Sequence, residues 1–237
     1  MANPHSHAAG NKISHSIPAV VVAGGASRRM GFDKILTPLA GRSVLAHSLG
    51  AFEQCSLIGT IIVVGPAGRA EEFDLGCRMF AKVAEVTDGG SERADSVAAG
   101  ARALARLGIS GGWVAVHDAA RPLVTPAAIE ACCHAAMEHG AAALAEPAID
   151  TLHRTDSEGR VTETLARTQI WRAQTPQVLP LEDLMAAASF RDRTDEVSIR
   201  LASGRPVVLV DPGIPNFKIT RPDDLLLAEA VLASRRS

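Results

Sequence analysis

The most constraining feature of this chain is a rhythm. Short β-branched runs, each closed by glycine or a polar turn, alternate with stretches of helical periodicity. Residues 19–22, 60–64, 82–87, 113–116 and 141–144 read as strands. Between them, apolar Val44, Leu45, Leu49 and Phe52 recur at helical spacing behind a capping Ser43, a polar turn ends in Ser91 at the head of a helix running to about Leu107, and Thr125-Pro126 supplies a cap and an N1 proline for another. Strands apolar on both faces and joined by helices imply βαβ units, hence a mostly parallel sheet covered on both sides. Ligands bind such sheets at the carboxyl ends of the strands. The polar turns after Val22, Thr87 and Val116 all fall there. A length of 237 residues suits one large α/β domain or two small ones.

The rhythm breaks at 149–174. Thr151, His153 and Thr155 alternate along a short strand, Asp156-Ser157-Glu158-Gly159 turns the chain, and 161–165 return. An isolated two-stranded hairpin is marginal in water, so this one is expected to lie on a partner subunit. Beyond it the pattern predicts helices over 181–189 and 194–203, strands over 207–210 and 217–220, and a last helix over 222–234 with Asp223 and Asp224 in its favoured first turn. Residues 1–17, with His5, His7 and His15, are polar, lack a signal-peptide core and read as a disordered tail, leaving 18–237 as the folded domain. No run of 18 apolar residues predicts a membrane span. Cys55, Cys77, Cys132 and Cys133 have no metal spacing and read as buried thiols of a reducing, cytoplasmic compartment. A net charge of −2 argues against a nucleic-acid partner but not against small anions.

The stretch from Pro18 to Lys34 carries the first chemical signal. A buried strand delivers its chain to Gly24 and Gly25, and Arg28, Arg29 and Lys34 follow. Glycines let backbone N–H groups approach phosphate oxygens, and the cations supply charge. Neither G-x-x-x-x-G-K-[ST] nor G-x-G-x-x-G is present, so this is a phosphate loop of another make. A plain strand-to-helix turn with surface arginines is the bland alternative. The polar groups expected at the mouth are Arg28, Arg29, Lys34, Ser96, Asp118, Arg121, Arg167, Thr194, Asp195 and Lys218. They offer many cations, few carboxylates and no nucleophile paired with a base, which disfavours a hydrolase triad. Such a set fits phosphoryl or nucleotidyl transfer, where positioning and charge stabilisation dominate. Asp118, directly after a strand, is a candidate oxygen ligand for Mg²⁺; its plain alternative is a turn-forming aspartate.

The motifs V-A-G-G-A-S-R-R-M…D-K, D-G-G-S-E-R-A-D-S-V, V-H-D-A-A-R-P, A-Q-T-P-Q, T-D-E and N-F-K-I-T-R-P-D-D-L, in this order from about residue 18 to 232, resemble the 2-C-methyl-D-erythritol 4-phosphate cytidylyltransferases. The resemblance implies a Rossmann-like α/β fold of the nucleotidyltransferase type, with a mostly parallel sheet flanked by helices and an inserted β-hairpin dimerisation arm. It implies transfer of a cytidylyl group from CTP to methylerythritol phosphate with Mg²⁺, in a homodimer whose arm reaches the neighbouring site. By position, Arg29 and Lys34 match the residues that stabilise triphosphate charge, and Arg167 and Lys218 those that place the acceptor phosphate. Ala23, Gly24, Gly25, Gly90 and Ser96 fall where the family holds the nucleotide. Asp118 matches the metal-side aspartate, and Arg121, Asp150, Thr151 and Thr194 fall among the acceptor contacts. Val22, Gly24, Ser27, Ser91 and Val197 depart from the usual pattern, and the first loop nearly matches the G-G-x-S-x-R-M-G-x-D-K of molybdenum-cofactor guanylyltransferases. That guanylyl reading, a ribitol-phosphate cytidylyltransferase and a non-catalytic nucleotide binder are the rivals.

Overall fold

A computed structural model describes residues 16–24, 33–186 and 195–236. In chain order the elements are β1 (Ile17–Val22), a short pair β2 (Pro38–Leu39) and β3 (Arg42–Ser43), α1 (Val44–Gln54), β4 (Ile58–Gly65), α2 (Ala70–Cys77), β5 (Val83–Asp88), α3 (Arg93–Arg106) and β6 (Trp113–Asp118). Then follow α4 (Pro126–His139), β7 (Ala142–Pro147), the hairpin β8 (Leu152–Thr155) and β9 (Val161–Leu165), β10 (Trp171–Pro180), α5 (Leu181–Ala186), α6 (Glu196–Ala202), β11 (Val208–Val210) and α7 (Asp223–Ser234). Seven strands form one sheet in the order β11-β7-β10-β6-β1-β4-β5. Six run parallel, and β10 is antiparallel to both its neighbours.

The period-2 geometry of β1 shows why the sheet needs helices on both sides. Ala19 and Val21 enter one core with α1 and α4, while Val20 and Val22 enter the other with α3. On that second side α3 approaches β1 closely: a Cβ at Gly100 would lie 2.3 Å from Val20 Cγ1, so only glycine fits there. Ser43 and Thr125 cap α1 and α4 as expected, accepting from Ala46 and Ala128. All four cysteines are buried and free. No helix among the described residues is long and apolar enough to cross a membrane.

Several expectations need correction. The sequence pattern predicts a hairpin region to Gln174 followed by a helix, but Trp171–Pro180 is a ten-residue strand in the middle of the sheet. Its polar Q-T-P-Q centre hid it, since proline and glutamines argue against a central strand. The structure tolerates them because the pairing with β7 shifts register between Ala173 and Gln177, where Pro176 sits. The second correction concerns 217–220, which form no strand and are held by single bonds, Ile219 N–H to Ala120 O at 2.8 Å among them. The third moves the start of α3 past Ser91: Glu92 is the N-cap, and Asp95 Oδ2 accepts from the Glu92 N–H and the Ser91 hydroxyl. Of the tail expected over 1–17, residues 1–15 with their histidines lie outside the described residues, whereas Ile17 is buried and opens β1, so the folded domain begins before residue 18.

Candidate active site

The carboxyl ends of β1, β4, β5 and β6 lie side by side, and the loops leaving them meet. Ala23 N–H donates to Val64 O (2.8 Å), and Gly89 N–H donates to Gly65 O (2.8 Å), which ties the ends of β1 and β5 to β4. Gly24 faces the same carbonyl: a Cβ there would lie 3.0 Å from Gly65 O and 3.4 Å from Ser96 Oγ. At Gly89 a Cβ would sit 2.5 Å from Ser96 Oγ. Buried Ser96 accepts from the Gly90 N–H (3.3 Å) and donates to Glu92 O (3.2 Å), fixing the turn to the head of α3. These contacts leave no room for side chains, so the backbone itself forms the floor of the mouth.

Beside this floor, β6 ends in Asp118. Its backbone N–H donates to Thr175 Oγ1 on β10 (3.0 Å), and that hydroxyl also meets His117 Nδ1 (3.0 Å). The carboxylate is shared by two cations: Arg93 Nε donates to Oδ1 at 2.9 Å and Lys218 Nζ to Oδ2 at 2.8 Å. Burial opposes ionisation of Asp118, but Arg93 and Lys218 outweigh it and hold the carboxyl well below the ordinary range. Arg93 in turn grips Glu196 with both terminal nitrogens, at 2.7 and 2.9 Å. Glu196 is kept at the start of α6 because Gln177 Oε1 on β10 accepts from the Glu196 and Val197 N–H groups. His117 stays neutral, since burial pulls its pKa down to about 3.

Arg121 extends the cluster. Its Nη1 donates to Asn216 O (2.9 Å) and its Nη2 to Ala173 O (3.3 Å), while Nε finds no partner among the described residues. Asn216 Nδ2 donates to Gln174 Oε1 (2.9 Å) and Thr175 O (3.0 Å), and Gln174 Nε2 is a second buried donor unpaired among the described residues. Lys34 Nζ reaches across to Ile219 O at 2.8 Å, linking the first loop to the segment that carries Lys218. Donors and cations thus surround one carboxylate, an arrangement suited to anionic oxygens. No group of three or more His, Cys, Asp or Glu side chains converges among the described residues. A lone carboxylate at an anion site suits Mg²⁺, which is bound by one or two carboxylates together with substrate phosphates.

Residues 17–234 match the family model described as IspD: 2-C-methyl-D-erythritol 4-phosphate cytidylyltransferase. The chain belongs to that cytidylyltransferase family. The 2-C-methyl-D-erythritol 4-phosphate cytidylyltransferase of Ralstonia nicotianae is 42% identical over 231 residues, covering 91% of each chain. Its counterpart from Pelotomaculum thermopropionicum is 40% identical over 233 residues, 93% of this chain and 95% of its own. The crystal structure of the Thermus thermophilus enzyme of that name superposes with a TM-score of 0.74 at 28% identity, covering 92% of this chain and 99% of its own.

Within this cytidylyltransferase, one chain brings together Ala23, Gly24, Gly90 and Ser96 at the floor, and Lys34, Asp118, Arg121 and Lys218 at the mouth. Asp150, Thr151 and Arg167 sit on the arm. Arg167 donates to Ile149 O, and no hydrogen bond or ion pair among the described residues joins these three to Asp118, Arg121 or Lys218. Gly25, Arg28, Arg29 and Thr194 lie outside the described residues. Gly89, Arg93, Gln174, Thr175, Gln177, Glu196 and Asn216 join the site without being singled out by the sequence pattern. All seven stand inside the motifs quoted above, so the signal was present; only their partners, up to 103 residues apart for Arg93 and Glu196, were invisible.

Proposed function

We propose that this enzyme transfers the cytidylyl group of CTP to 2-C-methyl-D-erythritol 4-phosphate, giving the CDP-alcohol and pyrophosphate. The acceptor's phosphate is the nucleophile. Its second pKa is about 6, so it is largely a dianion at neutral pH and needs no general base. An acceptor oxygen forms a bond to the α-phosphorus of CTP while the bond to the bridging oxygen breaks and pyrophosphate leaves. The floor of Ala23, Gly24, Gly90 and Ser96 holds the nucleotide together with Gly25, and Arg29 and Lys34 balance the charge that grows on the departing oxygens. Arg121, Lys218, Thr194 and the arm residues Asp150, Thr151 and Arg167 orient the acceptor. Asp118 would hold Mg²⁺, which when bound supplies charge neutralisation on the triphosphate. The observation that carries this reading is the carboxylate of Asp118 at the end of β6, shared by Arg93 and Lys218 with the Arg121 guanidinium nearby.

The arm pairs two copies of the chain, so that its residues serve the neighbour's site. In support, β8 and β9 form a separate two-stranded sheet with mostly exposed side chains, and Ile149, Val161 and Trp171 present apolar surface. Mixing inactive Arg167→Ala and Lys34→Ala proteins would then regenerate one intact site per mixed dimer, and no recovered activity would contradict shared sites. The free thiols suit the cytoplasm. Pyrophosphate release measured with CTP or GTP, and with methylerythritol phosphate or ribitol 5-phosphate, tests the reaction: turnover is expected only with CTP and methylerythritol phosphate. Turnover with GTP alone would overturn the reading.

A further inference from the structure

Asp118 binds two cations of very different freedom. Arg93 is held by three charge-assisted hydrogen bonds, one to Asp118 and two to Glu196, a buried residue whose backbone N–H donates to Gln177 Oε1. Its side chain is 25% exposed and cannot leave Asp118 without disturbing Glu196. Lys218 makes one such bond, to Oδ2, and its side chain is 38% exposed. The backbone beside it is anchored, with Ile219 N–H on Ala120 O and Lys34 Nζ on Ile219 O. Lys218 can therefore swing its ammonium while its Cα stays in place. A flexible point charge suits release, whereas a planar guanidinium with two partners suits fixation.

We propose that Asp118 is an exchange point: Arg93 is a positioning residue that fixes the carboxylate, and Lys218 leaves Oδ2 for the acceptor's phosphate when a divalent cation with the nucleotide takes that oxygen. This rests on the functional reading above and adds a coupling to it. Until the metal-nucleotide is bound, the lysine that should grip the acceptor is engaged by Asp118, so the two substrates bind synergistically. Arg93 keeps the released carboxylate aimed at the mouth, because Glu196 holds the guanidinium from behind.

The test reads affinity, not turnover. Methylerythritol phosphate is titrated calorimetrically into the full chain, with and without Mg²⁺ plus a CTP analogue whose α,β-bridge is methylene. The wild type should bind the acceptor about tenfold more tightly with the metal-nucleotide, a coupling of ordinary size. Asp118→Asn frees Lys218 and should bind the acceptor without metal about tenfold more tightly than the wild type does, roughly the full coupling. Simple loss of a metal ligand would not produce that gain. Lys218→Met should bind within about twofold of wild type without metal, yet lose most of the metal-dependent gain. Arg93→Gln should shrink the enhancement and Arg93→Lys restore part of it. An Asp118→Asn protein no tighter than wild type, or a metal-free Lys218→Met protein about tenfold weaker, overturns the exchange. Should Asp118→Asn fail to fold, the Lys218→Met comparison decides alone. Absence of acceptor binding by the wild type under every condition overturns the functional reading, and the exchange with it.

Discussion

Two buried aspartates in this enzyme look alike and are not. Asp118 accepts from Arg93 and Lys218; Asp183, on α5, accepts from Arg200 at 2.6 Å and Arg205 at 2.8 Å. Each carboxylate has one well-held and one partly exposed cation. Their positions differ. Asp118 ends a parallel strand, at the edge where loops converge. Asp183 follows the antiparallel β10, and Leu181 N–H donates to Gly112 O just before β6 begins, so Asp183 lies at the opposite edge. There it ties α5 to α6 and sees no loop floor. Burial and pairing therefore do not distinguish function from stability; the end of the sheet does.

The largest effect expected from this contrast is on folding. Asp183→Asn strands Arg200, whose side chain is 7% exposed and whose only ion-pair partner among the described residues is Asp183. Leaving such a charge unpaired costs about 3–5 kcal/mol, which urea unfolding would report, with little change in turnover per folded molecule. A loss below 1 kcal/mol would break the contrast from the stability side.

Next comes Lys34→Ala at the opposite edge. Removing one donor of this kind typically lowers kcat by roughly 10²–10³, and the melting curve should remain cooperative, the Lys34 bond to Ile219 O lying outside the central sheet. Near-normal turnover would remove the first loop from the chemistry.

The pH dependence is smaller. In the folded protein His117 titrates near 3, well below its ordinary 6.5, so the unfolded chain takes up a proton that the folded one refuses. Its contribution to stability is full above about pH 6.5 and is lost as pH falls toward 3, by up to roughly 1.4 kcal/mol per pH unit. Asp118, also held low, adds the same sign of dependence once pH drops below its unfolded value of 3.8. Stability of His117→Asn measured between pH 6.5 and 4 should fall less steeply than that of the wild type; parallel curves would show that the imidazole is not buried neutral.

The smallest effect belongs to Arg205→Ala. Its side chain is 49% exposed, and such pairs contribute about 0–1 kcal/mol. Lys218 is comparably exposed, yet its removal should be felt by the acceptor. A measurable loss of acceptor affinity in Arg205→Ala would blur the distinction between the two edges.

Much of this was legible in the sequence, for identifiable reasons. Helical spacing of apolar residues exposed α1, unbroken β-branched runs exposed β1 and β4, and the cap and proline of Thr125-Pro126 exposed α4; Ser43 and Thr125 set their helices' first residues. Asp118, Lys34, Arg121 and Lys218 were legible because each stands in a motif at a strand end or a fixed offset. β10 was not, because Gln174, Thr175 and Gln177 look like loop residues until their buried partners Asn216, Asp118 N–H and the α6 N-terminus are known. Arg93 is hidden in the sequence for the same reason: its two carboxylates come from distant parts of the chain, and only the fold brings them together.

The most direct test compares turnover per folded molecule in Asp118→Asn and Asp183→Asn, both assayed by pyrophosphate release from CTP with methylerythritol phosphate. The account predicts a loss of roughly 10² or more for Asp118→Asn and a change within about threefold for Asp183→Asn, whose defect is in folding. Equal losses in the two proteins, or an Asp118→Asn protein that turns over normally once folded, would contradict it.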